Sequence, residues 1–94
     1  MKLTDKLFVS SNAVAREVGG ETILLDLTSG TYFGLDPVGA RIWTLIEEAE
    51  GFTLAQVCDA IFEKFEVPRE KLEHDVMTFA QKLTEQHLVT SGDI

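Results

Sequence analysis

The chain of 94 residues is poor in several things at once. A single cysteine, Cys58, excludes an internal disulfide framework and any multi-cysteine metal site. Two histidines, His74 and His87, lie thirteen residues apart, whereas a metal pair on one helix face needs a spacing of three or four. No run approaches the eighteen or so apolar residues of a membrane span. The N-terminal Met1-Lys2-Leu3-Thr4-Asp5-Lys6 lacks the apolar stretch of a secretory signal, so a cytoplasmic, reducing location is expected. Positive charge is scarce: eight Lys and Arg face sixteen Asp and Glu, for a formal net charge of -8. That balance argues against nucleic acid, whose affinity for proteins rests on clustered positive charge, and leaves a peptide partner open.

What is present suits a small globular domain. Hydrophobic residues make up 45% of the chain and charged ones 26%, too apolar for disorder. A chain this short forms one domain and buries only roughly 60% of its unfolded surface, leaving little room for a deep catalytic pocket. No Gly-rich phosphate loop, nucleophile elbow or paired-carboxylate signature occurs. Cys58 falls in an apolar helical stripe with no histidine beside it, where free cysteine acts as a small hydrophobe. Glu47, Glu48 and Glu50 read as a solvated helix end. No cofactor, metal or catalytic residue is expected, and a binding module is favoured over an enzyme.

Periodicity divides the chain into a strand-like first third and a helical remainder. Leu7 to Val9 and Val14 to Val18 form either one bent strand or two separate ones. Gly19-Gly20 marks a turn. In the next segment Ile23, Leu25 and Leu27 share one face, and Thr22, Leu24 and Asp26 share the other. Thr28-Ser29-Gly30 reads as a hairpin loop leading into a returning strand, Thr31 to Leu35. Asp36-Pro37 then starts a helix with the apolar stripe Val38, Ile42, Leu45, Ile46 and Ala49, closed by Gly51. Thr53 and Gln56 predict a capping box, with Phe52 stapling to Val57, on a second helix whose stripe is Leu54, Val57, Cys58, Ile61, Phe62 and Phe65. A third helix starts at Pro68, carries Leu72, Val76, Phe79, Ala80 and Leu83, and ends near His87. The fold class is α+β: a three-stranded antiparallel sheet followed by a three-helix bundle.

Three helices in this order also fit a DNA-binding helix-turn-helix. From Val67 to Ile94, however, three basic residues stand against five acidic ones, an unfavourable charge for a recognition helix. The strand from Thr31 to Leu35 carries neither Lys nor Pro to blunt its edge. Such an edge accepts an extended peptide, unless the N-terminal segment or a dimer mate covers it. A proline at Thr31 is the first probe of that edge from sequence, since it removes one strand donor on whichever side that amide faces.

The stretch from Glu21 to Trp43 resembles the PqqD-like family, with its hairpin LLDL-x-x-G-x-Y-[YF]-x-L followed by a G-A-x-I-W helix. Thr53-Leu54 and the later Asp75, Val76, Leu83, Leu88 and Val89 are also similar, so the likeness spans about residues 14 to 90. It implies a winged-helix-like fold that binds the leader segment of a ribosomally made precursor peptide as an extra strand. The peptide would then pass to a modifying enzyme such as a radical S-adenosylmethionine maturase or a leader peptidase. By position, the resemblance implies a peptide site on Thr31, Tyr32, Phe33, Gly34 and Leu35, faced by Asp75, Val76, Phe79, Lys82 and Leu83. Asp75 and Lys82 would pair with opposite charges on the leader, and Gly34 would let its backbone come close. Asp36 and Trp43 depart from the members that serve pyrroloquinoline quinone synthesis. The pattern here is closer to stand-alone members from other peptide clusters, lasso-peptide ones included. The alternatives from other classes are a winged-helix DNA regulator and a structural domain that self-associates, as a homodimer, through the same edge.

Overall fold

The computed structural model describes residues 2–48 and 52–92; the helix end expected at Ala49, Glu50 and Gly51 lies outside the described residues. In chain order the elements are β1 (Lys6–Val9), β2 (Ala13–Val18), β3 (Glu21–Asp26), β4 (Tyr32–Leu35), α1 (Pro37–Glu48), α2 (Leu54–Lys64), α3 (Arg69–Glu85) and β5 (Val89–Gly92). Strands β2, β3 and β4 form an antiparallel sheet in that order, as the alternation and the Gly30 turn predict. Gly30 takes φ 77°, a backbone region that side-chain-bearing residues rarely adopt.

The N-terminal residues resolve into two separate strands. β1 does not join the three-stranded sheet; it pairs antiparallel with β5, Leu7 opposite Ser91 and Val9 opposite Val89. This second, two-stranded sheet has no counterpart in the sequence reading. Its partners lie at opposite ends of the chain, and four residues with two polar side chains give β5 no strand period of its own. The segment before β1 also serves α2: Asp5 O accepts from Leu54 N at 2.9 Å and Leu3 O from Ala55 N at 2.9 Å, satisfying amides of a first helical turn.

Local signals set the helix starts. Asp36 Oδ1 accepts from Gly39 N at 2.6 Å, capping α1 with Pro37 as its first residue. Thr53 and Gln56 form the full capping box: Thr53 Oγ1 accepts from Gln56 N at 3.2 Å, and Gln56 Oε1 from Thr53 N at 2.8 Å. Pro68 sits one position earlier than expected, as the N-cap residue of α3, so the helix begins at Arg69. The core gathers Leu24, Ile42, Trp43, Leu54, Val57, Cys58, Ile61, Leu72, Val76 and Leu83 with Leu88 from the turn after α3 and Leu7 and Val89 from the second sheet. Phe62, expected in the α2 stripe, is instead exposed. The Arg69 guanidinium lies over its ring, 5.7 Å from the centroid, and is itself tied to Asp59 and Glu73 at 2.8 Å each.

α3 ends two residues short of His87, and His87 is the reason it ends. Leu88 N donates to Leu83 O at 3.0 Å and His87 N to Thr84 O at 3.1 Å, the paired bonds of a Schellman motif, with His87 at φ 60°. Glycine normally occupies that position, and a non-glycine residue there costs about 1 kcal/mol. His87→Gly is therefore expected to stabilise the fold by about 1 kcal/mol and raise Tm by about 4 °C, read from thermal unfolding. An unchanged or lower Tm would show that the imidazole contributes more than its backbone costs.

Candidate functional site

The three-stranded sheet turns its mixed face inward. Leu24 is fully buried, and Phe33, opposite it on β4, and Leu35, opposite Thr22, pack against the core with Ala13 and Ala15. Asp26 tolerates this face because its carboxylate is fully engaged. It accepts from Asn12 Nδ2 at 2.8 Å, Thr28 N at 3.0 Å and Ser29 Oγ at 2.8 Å. These donors, Asn12 foremost, hold its pKa below the usual carboxylate value. A depressed folded-state pKa contributes stability above the unfolded value of about 3.9, lost as pH falls through the folded value. Below about pH 4, Tm is accordingly expected to fall more steeply in the wild type than in Asp26→Asn. Parallel Tm–pH curves would remove Asp26 from the acid response.

β4 is the edge of this sheet, and no strand flanks it among the described residues. The N-terminal segment does not cover it, since β1 is committed to β5. Asp26 N donates to Thr31 O at 2.8 Å, so these two residues form a hydrogen-bonded pair. Alternation along the ladder then bonds Phe33 to Leu24 and Leu35 to Thr22, and turns the amides and carbonyls of Tyr32 and Gly34 to the open side. Thr31 N–H is turned inward, to Ser29 Oγ at 3.2 Å. A proline there therefore removes no edge donor.

Beside this edge runs a groove of about 460 Å³ between β4 and α3. Of the residues singled out from the sequence, Phe33, Gly34, Leu35, Asp75, Phe79, Lys82 and Leu83 line it. Thr31 and Tyr32 do not; the Tyr32 side chain points to the opposite face of the sheet, 69% exposed. Val76 is fully buried in the core beneath the groove. Asp75 is already paired, with Lys71 Nζ at 3.1 Å, whereas Lys82 makes no ion pair among the described residues. The sequence reading missed the groove's third wall, the start of α1: Asp36, Val38, Gly39 and Ile42. Asp36-Pro37 marks where that helix begins, directly after the edge strand, but not that Val38 and Ile42 reach the groove. Gly39 belongs to the packing of that wall, since a Cβ on it would meet Asp36 Oδ1 at 3.1 Å and the Phe79 ring at 3.6 Å. The sheet's other edge, β2, exposes Arg16 and Glu17, and neither lines the groove.

Cys58 has no accessible surface, and burial pushes its thiol pKa up, the reverse of an activated nucleophile. Among the described residues no cluster of three or more His, Cys, Asp and Glu is placed to hold a metal ion, and no helix is long and apolar enough to cross a membrane.

A bare sheet edge beside a mainly apolar groove, walled by a capped helix start and a long third helix, defines a small α+β module. The protein belongs to the PqqD family: the family of coenzyme PQQ synthesis protein D (PqqD) matches residues 21–89. Among solved structures it is similar to TbiB1 in complex with the TbiA(beta) leader peptide, at 38% identity over 87% of this chain and 93% of that one, with a TM-score of 0.77. It also shares its fold with lasso peptide synthetase B1 complexed with the leader peptide: 22% identity, 90% and 98% coverage, TM-score 0.78. No curated protein sequence matches the chain.

Proposed function

We propose that this protein is a single-domain, non-catalytic adaptor. It captures the leader segment of a ribosomally made precursor peptide and presents it to a modifying enzyme, such as a radical S-adenosylmethionine maturase or a leader peptidase. The observation that carries the reading is the open β4 edge, with the Tyr32 and Gly34 main-chain groups turned to the open side beside a mainly apolar groove. An extended leader adds as a fourth strand. Main-chain bonds give affinity, and alternate side chains enter between Phe33 and Leu35 on one side and Phe79 and Leu83 on the other. Lys82, which makes no ion pair among the described residues, is the groove cation offered to a leader carboxylate; Asp75 is occupied by Lys71. The relatives that match in sequence or fold were captured with leader peptides, which supports the same ligand class here.

With strand pairing and two or three apolar anchors set against the cost of ordering the peptide, the expected affinity is roughly 0.1–10 µM, about 7–10 kcal/mol. The test is a titration of leader peptides encoded beside this chain, followed by amide chemical shifts. Saturable shifts at Tyr32 and Gly34 and along Asp75 to Leu83 are expected. A folded protein that shows none with any such leader would overturn the reading.

A further inference from the structure

The opposite face of the same sheet carries a second surface. The register aligns Val14, Leu25 and Tyr32 in one row across the three strands, and Arg16, Ile23 and Gly34 in the next. Leu27 extends the patch past the end of β3, and Val18 ends it beside the Gly19-Gly20 turn. Val18 and Leu27 are each 58% exposed and Tyr32 is 69% exposed. None of the six apolar residues belongs to the core or packs against it. The solvated face of an antiparallel sheet is ordinarily polar, so this one is an anomaly that folding does not explain. Leader capture does not explain it either, because the groove lies beyond the other face and only β4 borders both.

The charge of the chain decides between two occupants. A second copy would bring a formal charge of -8 against -8. With strands about 4.8 Å apart and about 3.3 Å per residue, the patch offers roughly 300 Å². A stable dimer usually buries about 800 Å² on each partner. A small apolar contact on a strongly acidic protein suits a transient encounter with a basic partner, which charge steers and salt weakens. We propose that the outer face of the β2–β3–β4 sheet docks the enzyme that modifies or cleaves the captured precursor. That enzyme meets it with an apolar patch rimmed by Lys and Arg. The proposal rests on leader capture, and its geometry leaves the groove free, so leader and enzyme bind at the same time.

Leu27→Lys and Val18→Lys test it, at exposed positions that touch neither core nor groove. Gln81→Lys, on the exposed side of α3, is the charge-matched control. The purified modifying enzyme encoded beside this chain is titrated against each full-length variant, and the leader peptide is titrated in parallel. Each face variant is expected to lose about tenfold in enzyme affinity. The control should be unchanged, and leader affinity should stay within about twofold throughout. Wild-type enzyme binding should weaken as salt rises from about 50 to about 300 mM. Equal enzyme binding by the face variants and the wild type, or none by the wild type, overturns the proposal and leaves leader capture standing. Self-association of the wild type that Leu27→Lys abolishes assigns the face to a second copy and overturns it equally. A wild type that binds no leader removes the reading beneath it.

Discussion

Gly34→Pro is expected to weaken leader binding by more than tenfold without unfolding the protein, and the double variant Tyr32→Pro/Gly34→Pro to remove measurable binding. The expectation follows from the ladder. Asp26 N bonds Thr31 O at 2.8 Å, which fixes Phe33 and Leu35 as the β4 residues bonded inward and Tyr32 and Gly34 as those facing out. Proline at an outward position breaks no bond to β3, and edge strands accept it there. It removes a donor to the incoming strand, worth about 0.5–1.5 kcal/mol, and sets its ring where that strand's carbonyl must approach. Gly34→Ala separates this effect from simple loss of glycine, because a Cβ at Gly34 meets nothing within 4 Å and points to the outer face. Its affinity and Tm are expected to match the wild type. Leu35→Pro is the opposite control, breaking the bond to Thr22 and destabilising the hairpin itself. Calorimetric titration with thermal melts of each variant reads all of these. Wild-type affinity in a folded Gly34→Pro protein would exclude strand addition at β4.

The parts of this molecule that were legible in advance are those written within a few residues. The Thr53–Gln56 box, the Asp36 cap and the hairpin loop at Thr28-Ser29-Gly30 each need only their own segment, and each is found as read. β5 needs β1, on the far side of the chain, and nothing local distinguishes Val89 to Gly92 from a tail. The same limit hid the inward face of the sheet. Ile23, Leu25 and Leu27 make the more apolar row, yet Leu24 is the one buried, and Asp26 on the same face is satisfied in part by Asn12, fourteen residues away. At the candidate site, the bare β4 strand could be read from its own residues, and the α3 wall, with Phe79 and Leu83, could be placed only through the resemblance to the PqqD-like family. The α1 wall could not, because Val38 and Ile42 read as core stripe, and only the tight strand-to-helix connection at Asp36 brings them to the groove. Val76 and Phe79 share a stripe in sequence, but the one lies fully in the core and the other reaches the groove. Helical period alone does not separate them.

The largest loss of stability is expected at Leu24. It is the only fully buried residue in the three strands β2 to β4 among the described residues, and it sits at the centre of the sheet between Ala15 and Phe33. Leu24→Ala removes its transfer free energy and leaves a cavity that Ala15 is too small to fill. The expected cost is about 3–4 kcal/mol, a large share of the about 5–15 kcal/mol that holds a domain together. Leu25→Ala, one residue along on the outer face, is expected to cost less than about 1 kcal/mol. Because Leu24 and Phe33 together seat β4 against the helices, the loss should appear as looser strands more than as looser helices. Amide exchange is expected to rise first in β2, β3 and β4, with α2, α3 and the β1–β5 ladder protected for longer. Leader affinity should fall several-fold even where the variant remains folded, since the peptide must then order the edge it binds. Urea unfolding gives the first quantity, hydrogen exchange the second and leader titration the third. Equal destabilisation by Leu24→Ala and Leu25→Ala would mean that the sheet is held to the helices by something other than this side chain.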